Sequence, residues 1–202
     1  MNKKIGVLLP FKDHFTYSKA GSASIWIKDF NKKSSYKKNI YVCGNTDNLK
    51  DLIEKKNYLN IKFLDSAFKS KNRLYIDEFI KLNSKHKFKL IEVHNRPSYI
   101  HRLIKKEINS KLVLIFHNNP LNLGGSKTVE ERNILIEKCE KLIFVSNWVK
   151  EKYFEKLDKK NHPRCEVIYP SIDQPKKFPK KKKIILYVKN VWAMVFQLII
   201  WV

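Results

Sequence analysis

The sequence predicts an α/β fold, a doubly wound parallel sheet with helices on both faces. Three observations predict it. Short β-branched runs alternate with longer stretches of helical period. Several of those runs are apolar throughout, such as Val113-Leu114-Ile115-Phe116 and Leu142-Ile143-Phe144-Val145, as strands buried on both sides are. Five Gly and seven Pro exclude a collagen-like or low-complexity chain.

The strands read in order as Ile5–Leu9, Asn39–Cys43, Ile61–Leu64, Lys89–His94, Leu112–His117, Lys141–Val145 and Glu166–Tyr169. Between them, a helix with Ile25, Trp26 and Phe30 follows the turn at Gly21-Ser22. Pro97 opens a second, whose stripe is Ile100, Leu103, Ile104 and Ile108. Thr128 and Glu131 form a capping box ahead of Ile134, Leu135 and Cys139. Ser146 caps a helix carrying Val149, Tyr153, Phe154 and Leu157. This alternation fills residues 1–170 as one Rossmann-like domain. A Pro- and Lys-rich linker, 171–183, follows, and then an apolar segment, 184–202.

Charge narrows the partners. The net charge is +23, but 37 of the 42 cationic residues are Lys and only five are Arg. Arg, with its planar fork, is what phosphate and base recognition favours. Asn (18) and Ile (22) are also abundant, and with Lys they share adenine- and thymine-rich codons, so genome composition accounts for much of the charge. The pattern is a solvated Lys-rich surface, suited to peripheral contact with an anionic membrane; no specific nucleic acid is expected. Cys43, Cys139 and Cys165 form no Cys-x-x-Cys pair, which excludes a disulfide framework and fits a reducing compartment. The apolar run before Pro10 is too short for a signal peptide, so the expected location is cytoplasmic, with contact at the inner face of the membrane.

In open α/β sheets ligands bind beyond the carboxyl ends of strands, where the strand order reverses. With the order 3-2-1-4-5, three segments converge there. They are the turn Gly21-Ser22, the strand end His94-Asn95-Arg96-Pro97, and the strand end His117-Asn118-Asn119-Pro120. Each segment has two readings. Ser22 is either a plain N-cap or part of a helix start that a diphosphate or sugar approaches. His94 and His117 are either structural histidines or ligand contacts. The histidine spacing does not suggest zinc, and no metal is expected.

These segments resemble the N-terminal domain of family-4 glycosyltransferases, the retaining enzymes of the GT-B fold. The resemblance runs from residue 5 to about 188. It is carried by Ile5–Pro10, the Gly21 loop, Ile91–Pro97, Leu114–Pro120, Gly125-Ser126 with Glu131-Arg132, Phe144–Trp148 and Val167–Asp173. It departs at Ser22, where a second Gly is common, and at Asn119, where Asp is common. The resemblance implies transfer of a sugar from a nucleotide-diphosphate donor to a glycan or lipid-linked hydroxyl, with retention and without metal or other cofactor. His94 would contact the donor sugar as the catalytic residue. Gly21 and Ser22 would approach the diphosphate or the acceptor. Asn95, Arg96, His117 and Asn118 would line the acceptor side.

The resemblance also implies that Lys183–Val188 is the first strand of a donor-binding domain, after which the family pattern stops. The expectation is a truncated or frameshifted chain that does not transfer sugar alone. A second reading takes 184–202, 19 residues behind four lysines, as the tail anchor of a non-catalytic membrane-associated binding module.

Overall fold

The structure, a computed structural model, describes residues 4–170. The expectations for the linker, the donor-domain strand and the apolar tail lie outside the described residues.

Seven strands form one parallel sheet: β1 Ile5–Leu8, β2 Ile40–Gly44, β3 Tyr58–Asn60, β4 Leu90–His94, β5 Lys111–Phe116, β6 Lys141–Phe144 and β7 Cys165–Val167. Their order is β3-β2-β1-β4-β5-β6-β7. The chain thus starts mid-sheet, winds to one edge, and crosses back to place β4 against β1, which makes that junction the switch point. The helices are α1 Ser22–Lys33, α2 Lys71–His86, α3 Pro97–Lys105, α4 Val129–Lys138 and α5 Asn147–Phe154.

Strand residues alternate between two apolar clusters, as a pleat of period two requires. Leu8, Cys43, Ile91, Val93, Leu114, Phe116, Leu142 and Phe144 face one cluster, which also holds Tyr75, Phe79, Leu103, Leu135 and Tyr153 from α2 to α5. Val7, Leu9, Ile40 and Val42 face the other, which holds Ala23 and Ile27 of α1. Helices therefore lie on both faces, but among the described residues the second cluster is built on α1 alone. Where α1 stops, an apolar groove of about 210 Å³ remains, lined by Ile5, Leu90, Val113, Ile143 and Phe30 among others.

Local signals set the helix starts. Thr128 Oγ1 accepts from Glu131 N while the Glu131 carboxylate accepts from Thr128 N, completing the capping box. Ser146 caps α5 through Val149 N, and Pro97 sits in the first turn of α3. Four expectations are corrected. The residue capping α1 is Gly21, not Ser22, whose exposed side chain makes no cap bond. The third strand forms at Tyr58–Asn60 and not at Ile61–Leu64. Ile61 still bonds Gly44 O and is buried, but Leu64 is exposed, so the strand pairs earlier along the chain. α3 stops at Lys105, leaving Ile108 in the following turn, and α5 stops at Phe154, short of Leu157. Finally, α2 is a sixteen-residue helix on a stretch to which the sequence reading assigns no element. Ser70 caps it through Arg73 N, and Tyr75, Ile76 and Phe79 are its buried face.

Candidate functional site

Next to the switch point β4 and β5 run side by side, with His94 opposite Ile115 in register. His117 lies two residues further along, so both histidines project to the face that carries α1, as does Glu92 two residues before His94. The pleat thereby strings three polar groups along one line. Glu92 Oε1 lies 2.7 Å from His94 Nε2, and His94 Nδ1 lies 2.9 Å from His117 Nε2. The indole of Trp26, on α1, meets the His117 ring edge-on with centroids 5.4 Å apart.

Burial divides the roles. His94 is fully buried and both its ring nitrogens are occupied. It therefore presents no free ring nitrogen to a ligand, unlike the donor-sugar contact the resemblance implies. His117 is 8% exposed, and burial, with His94 close by, pulls its pKa down to about 3, so its ring is neutral at physiological pH. The buried side-chain nitrogens and oxygens without a partner, among the described residues, are Asn31 Oδ1 and Arg132 Nε. His117 Nδ1 is not one of them, and among the described residues it has no hydrogen-bond partner; it is the ring atom left open on this side.

Asn95 fixes this geometry. Its φ of 52° is left-handed, a conformation Asn tolerates better than most residues. From there its Oδ1 accepts from both His117 N and Asn118 N, each at 3.3 Å, while its own N–H donates to Ile115 O at 2.7 Å. The ends of β4 and β5 are sewn together by one side chain. Arg96 precedes α3, half-buried, and donates to Asn95 O at 2.9 Å; Asn118 is exposed beside them. His94, Asn95, Arg96, His117 and Asn118 thus form one cluster.

Gly21 and Ser22 join it only through α1. Asp13 holds that helix start: its Oδ1 accepts from Gly21 N at 3.0 Å and from Ser24 Oγ at 2.6 Å. A Cβ on Gly21 would lie 2.8 Å from the Asp13 carboxylate, so a side chain there would push that carboxylate away from the helix start. The carboxylate thus sets a negative charge beside the helix N-terminus. Asn119 acts locally, its Oδ1 accepting from Leu121 N. Gly125 and Arg132 also act structurally. Gly125 O lies 2.7 Å from His101 Nε2, and Arg132, buried, donates to Ser126 O, Lys127 O and Glu155 O.

Sequence reasoning gave no role to Glu92, Asp13 or Trp26. Glu92 had a usable signal: it is a charged residue inside an apolar parallel strand, at the spacing that shares a face with His94. Asp13 had none, since it lies eight residues before Gly21 in an irregular loop. Among the described residues, no group of three His, Cys, Asp or Glu side chains is placed to hold a metal ion, and no helix is long and apolar enough to cross a membrane.

The architecture is shared with several solved structures. The chain superposes on HepE of Anabaena in complex with UDP-glucose with a TM-score of 0.59 at 16% identity, over 84% of this chain and 44% of that one. Sucrose-phosphate synthase of Thermosynechococcus elongatus gives 0.54 at 12% identity, over 83% and 48%. A glycosyltransferase of Rickettsia africae gives 0.54 at 15% identity, over 84% and 43%. The chain therefore spans less than half the length of these structures. No model of a known protein family and no curated protein matches it. At these identities the likeness establishes the fold, the Rossmann-like half found in solved glycosyltransferases.

Proposed function

We propose that this chain supplies the acceptor-side wall of a glycosyltransferase that takes its sugar from a nucleotide-diphosphate donor. The observation that carries the reading is the cluster of His117, Asn95, Arg96 and Asn118 at the carboxyl ends of β4 and β5. It stands beside the switch point of a fold shared with a structure holding UDP-glucose. The neutral His117 ring and the Asn118 amide suit hydroxyls, while Arg96 places a cation beside the end of β4. His94 acts in this reading through His117. Gly21 and Ser22 belong to the acceptor side, because Asp13 disfavours a phosphate at the start of α1.

The resemblance to family-4 enzymes supports retention at the anomeric carbon and a diphosphate neutralised by side-chain cations without a metal cofactor. The acceptor in this reading is a glycan or lipid-linked hydroxyl. The Lys-rich surface, with a net charge of +23, supports work beside an anionic leaflet at the cytoplasmic face.

Titrating the ¹⁵N-labelled chain with UDP-glucose and with glucose tests the site. Amide shifts concentrated at residues 94–96 and 117–119 are the expected result. Shifts confined to the groove at the amino ends of the strands, or none with either ligand, refute the assignment.

A further inference from the structure

Glu92, His94 and His117 form a chain in which every internal nitrogen has one partner, and the chemistry of its first member sets its direction. A carboxylate only accepts, so His94 Nε2 carries the proton of the 2.7 Å contact. In a neutral imidazole the other nitrogen is then an acceptor. His94 Nδ1 meets His117 Nε2 at 2.9 Å, so the proton of that contact belongs to His117 Nε2. His117 Nδ1 is left with its lone pair outward. Near-complete burial of His117 beside a second imidazole favours its neutral ring.

We propose that Glu92 is a positioning residue: acting through His94, it holds His117 in the Nε2–H tautomer and presents Nδ1 to the cleft as a hydrogen-bond acceptor. The group such an atom takes is a hydroxyl donor, which a sugar supplies; the unprotonated nitrogen repels a phosphate oxygen. Naming a sugar hydroxyl rests on the proposed function, whereas the protonation pattern stands without any ligand. The two are therefore separable by experiment.

The measurement is long-range ¹H–¹⁵N correlation of the imidazoles in the ¹⁵N-histidine-labelled chain at neutral pH, with no ligand present. His117 is expected to show a pyrrole-like Nε2 and a pyridine-like Nδ1, and His94 the same pattern. A protonated His117 Nδ1, or a doubly protonated His94, overturns the proposal. Glu92→Gln supplies the second arm. Its amide both donates and accepts, so the direction of the chain is no longer fixed and the His117 ring nitrogens are expected to lose their separation toward averaged shifts. Unchanged tautomers in a folded Glu92→Gln variant also overturn it, since a merely structural Glu92 would leave them so. Should that variant not fold, the wild-type pattern alone decides.

Discussion

Asn95 offers the sharpest test of how the cleft is held. Asn95→Ala removes an oxygen that accepts from two backbone N–H groups, one of them on a buried residue, and leaves an alanine at φ 52°. Losing a buried acceptor costs about 1–3 kcal/mol for the donor left unpaired, and holding an L-residue other than Gly or Asn in the left-handed region costs roughly 1–2 kcal/mol. The sum is on the order of 2–5 kcal/mol. In a domain of this size that lowers Tm by roughly 4–20 °C, at about 2–4 °C per kcal/mol. Asn95→Gly loses the same acceptor but relieves the backbone, at a cost of about 0.5–1 kcal/mol in unfolded-state entropy. Thermal or urea unfolding of wild type, Asn95→Gly and Asn95→Ala is therefore expected to rank them in that order of stability. Inside regular structure Gly is the worse residue, so the inversion is diagnostic. An alanine variant equal to or more stable than the glycine variant would refute the left-handed, acceptor-bearing role.

Other expectations are as direct. The folded pKa of His117 lies below its unfolded value of about 6.5. The unfolded chain thus takes up a proton that the folded chain refuses. The stability attached to this group is complete above about pH 7 and falls by about 1.4 kcal/mol per pH unit between about 6.5 and about 3. Urea titrations across that range are expected to show His117→Asn with a shallower acid loss than wild type, and parallel profiles would refute it. Gly125→Ala sets a Cβ 2.6 Å from Ser98 N at φ +92°, and a loss of at least about 3 kcal/mol is expected in the same unfolding assay. Burial drives the thiol pKa of Cys139 up to about 12 and that of Cys165 up to about 11, and Cys43, fully buried, higher still. Mass spectrometry after iodoacetamide at pH 8 is expected to find all three unmodified until denaturant is added.

The central sheet was legible because its strands are buried on both faces and so read as apolar runs. The runs containing Val113 and Leu142 fall within one residue of β5 and β6. Edge strand β3 was not, since its residues are only half-buried and Asn60 spends its side chain on Thr46, through bonds to N and O of that residue. The apolar Ile61 and Phe63 nearby look more strand-like, yet they pack a loop against the core. Helix α2 was missed although Ser70 and the Tyr75–Phe79 spacing announce it, because a buried Asn83 interrupts its apolar face. Capping was readable wherever a side chain does it, as at Thr128 and Ser146. At Gly21 the stabilising group is the distant Asp13, and local sequence carries no trace of it.

The site shows the same division between what is local and what is tertiary. That His94 and His117 end neighbouring strands follows from the apolar runs and the strand order, and period two puts both on one face. Which of them meets solvent does not follow, because it depends on what else occupies that face. Trp26 reaches His117 from α1, while Glu92 approaches His94 from two residues earlier in β4. A histidine with a carboxylate on one nitrogen and a second imidazole on the other is saturated. Polarity passes down the row to the first ring that has a nitrogen to spare, and that ring is His117. In the proposed reading the strand-end motif beginning at His94 is the support of the site, and the atom offered to a ligand belongs to the next strand.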